Sequence, residues 1–78
     1  MSTQVIAPIP GIFYRRPAPD KAPFVEVGDT VEVGQTIGVI EIMKQFTEVR
    51  SEVAGAIQSF EVDDNGMVGP GDVIATIE

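Results

Sequence analysis

Short apolar runs alternate with Gly, Pro and Asp clusters along the whole chain, and no apolar stripe recurs at helical spacing. Val, Ile, Phe and Thr dominate the runs, a composition suited to half-buried strands. Val5-Ile6-Ala7 begins the fold. Pro8-Ile9-Pro10-Gly11 reads as a turn or edge segment, because proline donates nothing to a ladder. Gly11-Ile12-Phe13-Tyr14-Arg15 reads as a strand. In the loop that follows, three prolines in the eight residues 16–23 stiffen the chain toward polyproline II. Phe24-Val25-Glu26 leads into a turn at Val27-Gly28-Asp29, and Val31-Glu32-Val33 is a short alternating run closed by Gly34-Gln35. Strands are predicted at Thr36-Ile37-Gly38-Val39-Ile40, at Thr47-Glu48-Val49-Arg50, over 56–62 and over 73–78. Asp63-Asp64-Asn65-Gly66 is the strongest turn signal, and 67–72 reads as a second turn region.

The pattern repeats. Val31-x-x-Gly34-x-x-Ile37-x-x-Ile40-Glu41 matches Val68-x-x-Gly71-x-x-Ile74-x-x-Ile77-Glu78 at an offset of 37. Gly11-Ile12-Phe13 matches Gly55-Ala56-Ile57 at an offset of 44, and the difference of seven falls where the Pro-rich loop lies. Two halves of about four short strands each predict a small all-β antiparallel barrel or sandwich, since closure removes the unpaired edges of an open sheet. The expected core is Ile12, Val25, Val31, Ile37, Ile40, Val49, Val53, Ile57, Phe60, Val68, Ile74 and Ile77.

Between the two central strands lies Glu41-Ile42-Met43-Lys44-Gln45-Phe46, with no Gly, Pro, Asn or Asp. If the strands pair, Met43-Lys44 forms the turn. A two-residue hairpin turn favours Asn-Gly or Asp-Gly because both central residues take positive φ. A local rule broken at an exposed tip points to function. In the two-half plan this hairpin joins the halves, and the termini occupy the equivalent junction at the opposite end. Lys44 is one of two lysines; the other, Lys21, is in the Pro-rich loop. Its amine is open to acylation by an activated carboxylate that a separate enzyme presents, and a rigid protruding turn fits an enzyme cleft with little ordering cost. An ordinary solvated lysine at a turn is the plain alternative.

Composition narrows the chemistry. The chain's 78 residues, 44% hydrophobic, amount to one domain, 1–78, with a thin core. It has no Cys and no His, so thiol nucleophiles, histidine bases and the usual zinc sites are absent. No apolar run approaches a membrane span, and no secretory signal is visible at Met1-Ser2-Thr3-Gln4. These features fit the cytoplasm. A net charge of −7 argues against nucleic acid or an anionic membrane as partner.

Pro8-Ile9-Pro10-Gly11-Ile12-Phe13-Tyr14-Arg15, Pro17-Ala18-Pro19-Asp20, the run from Phe24 to Gln35 and Glu41-Ile42-Met43-Lys44 occur in order. This series resembles the biotinyl domain of the biotin carboxyl carrier proteins of bacterial acetyl-CoA carboxylase, over nearly the whole chain. The resemblance implies a flattened barrel of two four-stranded antiparallel sheets with quasi-two-fold symmetry. It implies biotin attached by an amide to Lys44, with Met43 and Gln45 flanking it, and a thumb-like insertion at about 16–22 that reaches toward the biotin. Arg16 falls where the family places a Thr against the biotin, and its guanidinium offers donors to a ureido oxygen. Ile42 replaces the family's Ala, and Gln45 its second Met.

By the same resemblance the chain is a non-catalytic carrier. Its partners would be a biotin-protein ligase, a biotin carboxylase and a carboxyltransferase acting on acetyl-CoA or another acyl-CoA. The isolated domain is expected to be monomeric. It is either excised from a longer carrier or free-standing, and the Met1 start favours the latter. Two other readings stand beside this one. The first is a lipoyl domain of a 2-oxo acid dehydrogenase complex, which typically has Asp where Met43 stands. The second is an unmodified barrel acting as an interaction module.

Overall fold

The computed structural model describes residues 2–78. Its strands are β1 (Thr3–Ile6), β2 (Gly11–Tyr14), β3 (Thr30–Val31), β4 (Thr36–Ile42), β5 (Gln45–Arg50), β6 (Gly55–Phe60), β7 (Gly66–Val68) and β8 (Val73–Ile77). They form two four-stranded antiparallel sheets, ordered β1-β8-β6-β3 and β5-β4-β2-β7. Replacing β1, β8, β6 and β3 by β5, β4, β2 and β7 turns one sheet into the other. The expected fold of two half-barrels with quasi-two-fold symmetry is the one that forms.

The backbone hydrogen bonds follow the same symmetry. Gly34 donates to the Ser51 carbonyl at 2.7 Å, and its mate Gly71 donates to Ala7 at 2.9 Å. Gly28 donates to Ile57 and Asn65 to Phe13, both at 2.8 Å. The close approaches repeat as well. A Cβ on Gly11 would lie 2.4 Å from the Glu41 carbonyl oxygen, and one on Gly55 would lie 2.6 Å from that of Glu78. No side chain fits at either place, so glycine lets β2 and β6 press against β4 and β8.

The core lies between the sheets. Phe13, Val31, Ile37, Ile40 and Ile74 are fully buried, and Val25, Val49, Ile57, Val68 and Ile77 join them. Val53 and Phe60 are half-buried against this cluster. Ile12 does not belong to the core. It pairs with Glu41 on the outer face, and its neighbour Phe13 points inward instead. Strand parity decides between adjacent hydrophobics, and the repeat places Phe13, not Ile12, opposite buried Ile57. Val5, Ala7 and Ala75 complete the interior. One further expectation is corrected: Gly66–Val68, read as turn, is an edge strand. Residues 24–26 form no strand, and Val25 fills the core as expected.

The loop after β2 carries the seven extra residues of the first half. Its ends meet where the Phe24 amide donates to the Arg15 carbonyl at 2.8 Å. The second half makes the same strand-to-strand connection without these residues. Deleting 16–22 is therefore expected to leave a cooperatively folded β-protein by circular dichroism and thermal melting. Phe13→Ala, by contrast, should cost about 3–5 kcal/mol, much of a small domain's stability. Global unfolding of the deletion would make the loop part of the framework.

Candidate functional site

β4 and β5 pair in register through Ile40 and Thr47, Glu41 and Phe46, and Ile42 and Gln45. That leaves Met43 and Lys44 as a two-residue turn with φ of 52° and 65°. Both take the left-handed conformation that a tight hairpin turn demands and that L-residues disfavour. Ile40 is the last core residue of β4. Beyond it the tip stands clear, with Met43 89% exposed and Lys44 and Gln45 also exposed.

Along the hairpin, side chains alternate between the two faces. Glu41 and Phe46 share the outer face with Tyr14 and Val39, which pair in β2 and β4. The Pro-rich loop folds over this face and leaves a cleft of about 510 Å³ between them. Tyr14, Arg16, Pro17, Pro19, Glu41 and Phe46 line it.

The loop is pinned at its base. The Arg15 amide donates to Asp64 Oδ1 at 2.9 Å, and Arg15 Nη2 donates to the Val25 carbonyl at 3.4 Å. The Arg15 guanidinium also stacks 4.3 Å over the Phe60 ring and lies 3.6 Å from Glu26. A second turn forms inside the loop, where Lys21 N–H donates to the Ala18 carbonyl at 3.0 Å. Arg16 Nη1 donates to the Lys21 carbonyl at 3.3 Å. Arg16 Nε lies 3.7 Å from Asp64 Oδ2, close enough for ionic attraction but too far for a hydrogen bond. It is thus a buried donor without an acceptor in the cleft wall.

Hydrogen bonding to the Glu41 carboxylate holds the Tyr14 phenol above its usual pKa, and desolvation and the negative charges of Glu41 and Asp64 push the same way. On the edge strand, the Arg50 guanidinium lowers the pKa of Glu48, to which it is paired.

Of the residues singled out in the sequence, Arg16 lines the cleft, while Met43, Lys44 and Gln45 form the tip beside it. Sequence reasoning did not assign Tyr14, Phe46, Asp64 or Glu41 to the site. A two-residue turn already places Glu41 opposite Phe46, so that pair was within reach. Asp64 meets Arg15 and Arg16 across 49 and 48 residues and left no local signal.

A family model described as "Biotin-requiring enzyme" matches residues 3–77. The chain belongs to this family. Among its relatives is the biotin carboxyl carrier protein of acetyl-CoA carboxylase from Pyropia yezoensis, 38% identical over 95% of this chain and 47% of that protein. The protein of the same name from Haemophilus influenzae is 34% identical over 95% of this chain and 48% of its own length. That from a Nostoc strain is 48% identical over 69% of this chain and 30% of its own. The chain therefore spans at most about half of these relatives. The urea carboxylase of Kluyveromyces lactis contains a region of the same fold, with a TM-score of 0.81 and 27% identity, covering 100% of this chain and 6% of that one.

Two outcomes follow from this geometry. Left-handed φ costs a non-glycine residue roughly 1 kcal/mol or more. Replacing Met43 by Asn and Lys44 by Gly together should raise Tm by roughly 5–10 °C in calorimetry. The chain has one Tyr and no Trp, so phenolate absorbance reports Tyr14 alone. Its midpoint should lie above the ordinary value of about 10 and fall toward it in Glu41→Gln. The sign is that of a raised pKa. The stabilisation is complete below the unfolded value and is lost as pH rises through the folded one.

Proposed function

We propose that the chain is a biotin carboxyl carrier domain, 1–78, with biotin joined by an amide to the Lys44 amine. The observation that carries this reading is the lysine's position. It stands at an exposed, left-handed hairpin tip, two rungs of the β4–β5 pair from Glu41 and Phe46, which line a cleft with Arg16. Membership of the biotin-requiring family and relatives named as carrier proteins support it.

The residues present fit the group. The rung of Glu41 and Phe46 lies about 7–10 Å from the tip, within reach of a long flexible arm. Arg16 Nε–H would donate to a ureido oxygen, and Glu41, oriented by Tyr14, would accept from a ureido N–H. Pro17, Pro19 and Phe46 give the apolar walls. Met43 and Gln45 flank the lysine and present it. Biotin, when bound, supplies a ureido nitrogen able to hold a carboxyl group.

The chain's own part is position and transport. A rigid turn offers the Lys44 amine to a biotin-protein ligase. Tethering then raises the local concentration of the group at a biotin carboxylase and at a carboxyltransferase that acts on acetyl-CoA or another acyl-CoA. The loop 16–22 acts as the thumb, holding the group between visits. The carrier catalyses neither reaction itself. It works as a monomeric module in the cytoplasm, where such carboxylases find ATP and bicarbonate.

The test is intact mass after co-expression with a biotin ligase. One biotinyl increment is expected on the wild-type chain and none on Lys44→Arg. An increment that survives Lys44→Arg places the attachment elsewhere. A lipoyl increment, or an unmodified mass beside active ligase, overturns the reading.

A further inference from the structure

The two halves of the chain, 2–42 and 45–78, are threaded through each other. In one sheet the inner strands β8 and β6 come from the second half and the flanking β1 and β3 from the first. In the other sheet β4 and β2 come from the first half and β5 and β7 from the second. Four of the six strand pairings among the described residues therefore cross between halves: β1 with β8, β3 with β6, β4 with β5 and β2 with β7. The turn bonds cross as well, from Gly34 to Ser51, Gly71 to Ala7, Gly28 to Ile57 and Asn65 to Phe13. So does the bond from the Arg15 amide to Asp64 Oδ1. Each half keeps a single strand pairing of its own, too little to stand alone in water.

The covalent link between the halves is Met43-Lys44. The repeat shows that the fold does not depend on it. β8 and β1 are the symmetry mates of β4 and β5, and Thr3 pairs with Ile77 there with no turn to join them. Ladder and core alone close that junction. At the other junction the link is a source of strain, since both of its residues are left-handed and neither is Gly, Asn or Asp. Packing at the tip does not offset the strain: Met43 is 89% exposed, and Lys44 and Gln45 are exposed with it.

We infer that the chain has a second folded state, a dimer in which two copies exchange halves through an extended Met43-Lys44 link. Each barrel then holds residues 2–42 of one copy and 45–78 of the other. Every crossing pairing named above re-forms between copies, because the residues that meet are the same. The loss of translational freedom opposes the dimer. The release of two left-handed residues in each copy favours it, and short hinges under strain invite exchange. Exchange has to part all four crossing pairings, so it takes place on refolding at high concentration and not within the folded monomer. In the dimer Lys44 lies in an extended segment between two barrels, with no two-residue tip to enter a ligase cleft. The monomer is thus the form that is modified. That consequence rests on the carrier reading; the exchange itself does not.

The chain has no Cys, so an introduced cross-link reports which halves share a barrel. The Ala56 amide and carbonyl both bond Glu78. The pair of Thr30 and Ala56 across β3 and β6 is therefore the close, non-hydrogen-bonded kind, at a spacing that suits a disulfide. The wild-type chain and Thr30→Cys/Ala56→Cys are refolded from denaturant at millimolar concentration and sized by light scattering, the second after oxidation.

Both should give a dimer beside the monomer. On a non-reducing denaturing gel the oxidised dimer should remain a covalent dimer, while the monomer fraction runs as one chain. Met43→Asn/Lys44→Gly, whose residues accept positive φ, should weaken the dimer at least roughly tenfold. The isolated wild-type dimer should take up biotin more slowly than the monomer and at a rate independent of ligase concentration, because dissociation limits it. A wild-type chain that stays monomeric overturns the exchange. So does an oxidised dimer that the gel separates into single chains, or a dimer left equally strong by Met43→Asn/Lys44→Gly. A dimer modified as fast as the monomer overturns the withdrawal of Lys44. The gel decides the exchange whether or not the chain takes biotin, so failure of the carrier reading is seen separately, in the mass measurement.

Discussion

A two-residue link between antiparallel strands can be made only if both central residues turn left-handed. Met43 and Lys44 meet that demand with φ of 52° and 65°, without the help of glycine or asparagine. The rest of the hairpin has to hold them there. Six register pairs join β4 to β5, and β4 in turn is locked to β2, where Gly11 lets the backbones approach too closely for any side chain. Beneath them Ile37 and Ile40 fill the core. The lysine is thus displayed by a chain of dependencies that runs from a packed interior to an unfavourable turn.

The two halves carry the same framework but different burdens. The strand order, the turns at Gly34 and Gly71 and the close approaches at Gly11 and Gly55 correspond, so the two halves share one framework. Their differences lie where framework no longer constrains the chain. One half has a seven-residue insertion pinned by Arg15 and Asp64, and an outer face with apolar side chains. The other has a bare turn, and Ser2, Ala56 and Thr30 stand where the Lys44-bearing sheet has Phe46, Ile12 and Met67. Comparing them separates what the fold needs from what has been added to it.

Much of this was legible before any coordinates. The offsets of 37 and 44 revealed two halves, and their difference located the insertion, because hydrophobic spacing and turn glycines follow directly from strand geometry. The wrong residues in the turn marked Lys44. Parity in β2 has no local signal, because Ile12 and Phe13 are adjacent and both apolar; only the repeat, which aligns Phe13 with Ile57, separates them. β7 was hidden because three residues beginning in glycine, within a turn-rich stretch, are too few to show alternation. The cleft was hidden because its walls come from three separate parts of the chain. Carboxylates such as Asp64 give no local sign of the guanidinium they will face.

The tip rises two rungs above the last buried residue of β4, and what lies above Ile40 contributes little to the hydrophobic core. Residues there are free to vary without the penalty that attends a change at Ile37 or Phe13. Ile42 and Gln45, the last pair before the turn, sit in that region. The part of the molecule that partner enzymes would read is thus the part the fold relies on least. A lineage that changed partners could rewrite this hairpin through single substitutions and inherit the barrel unchanged.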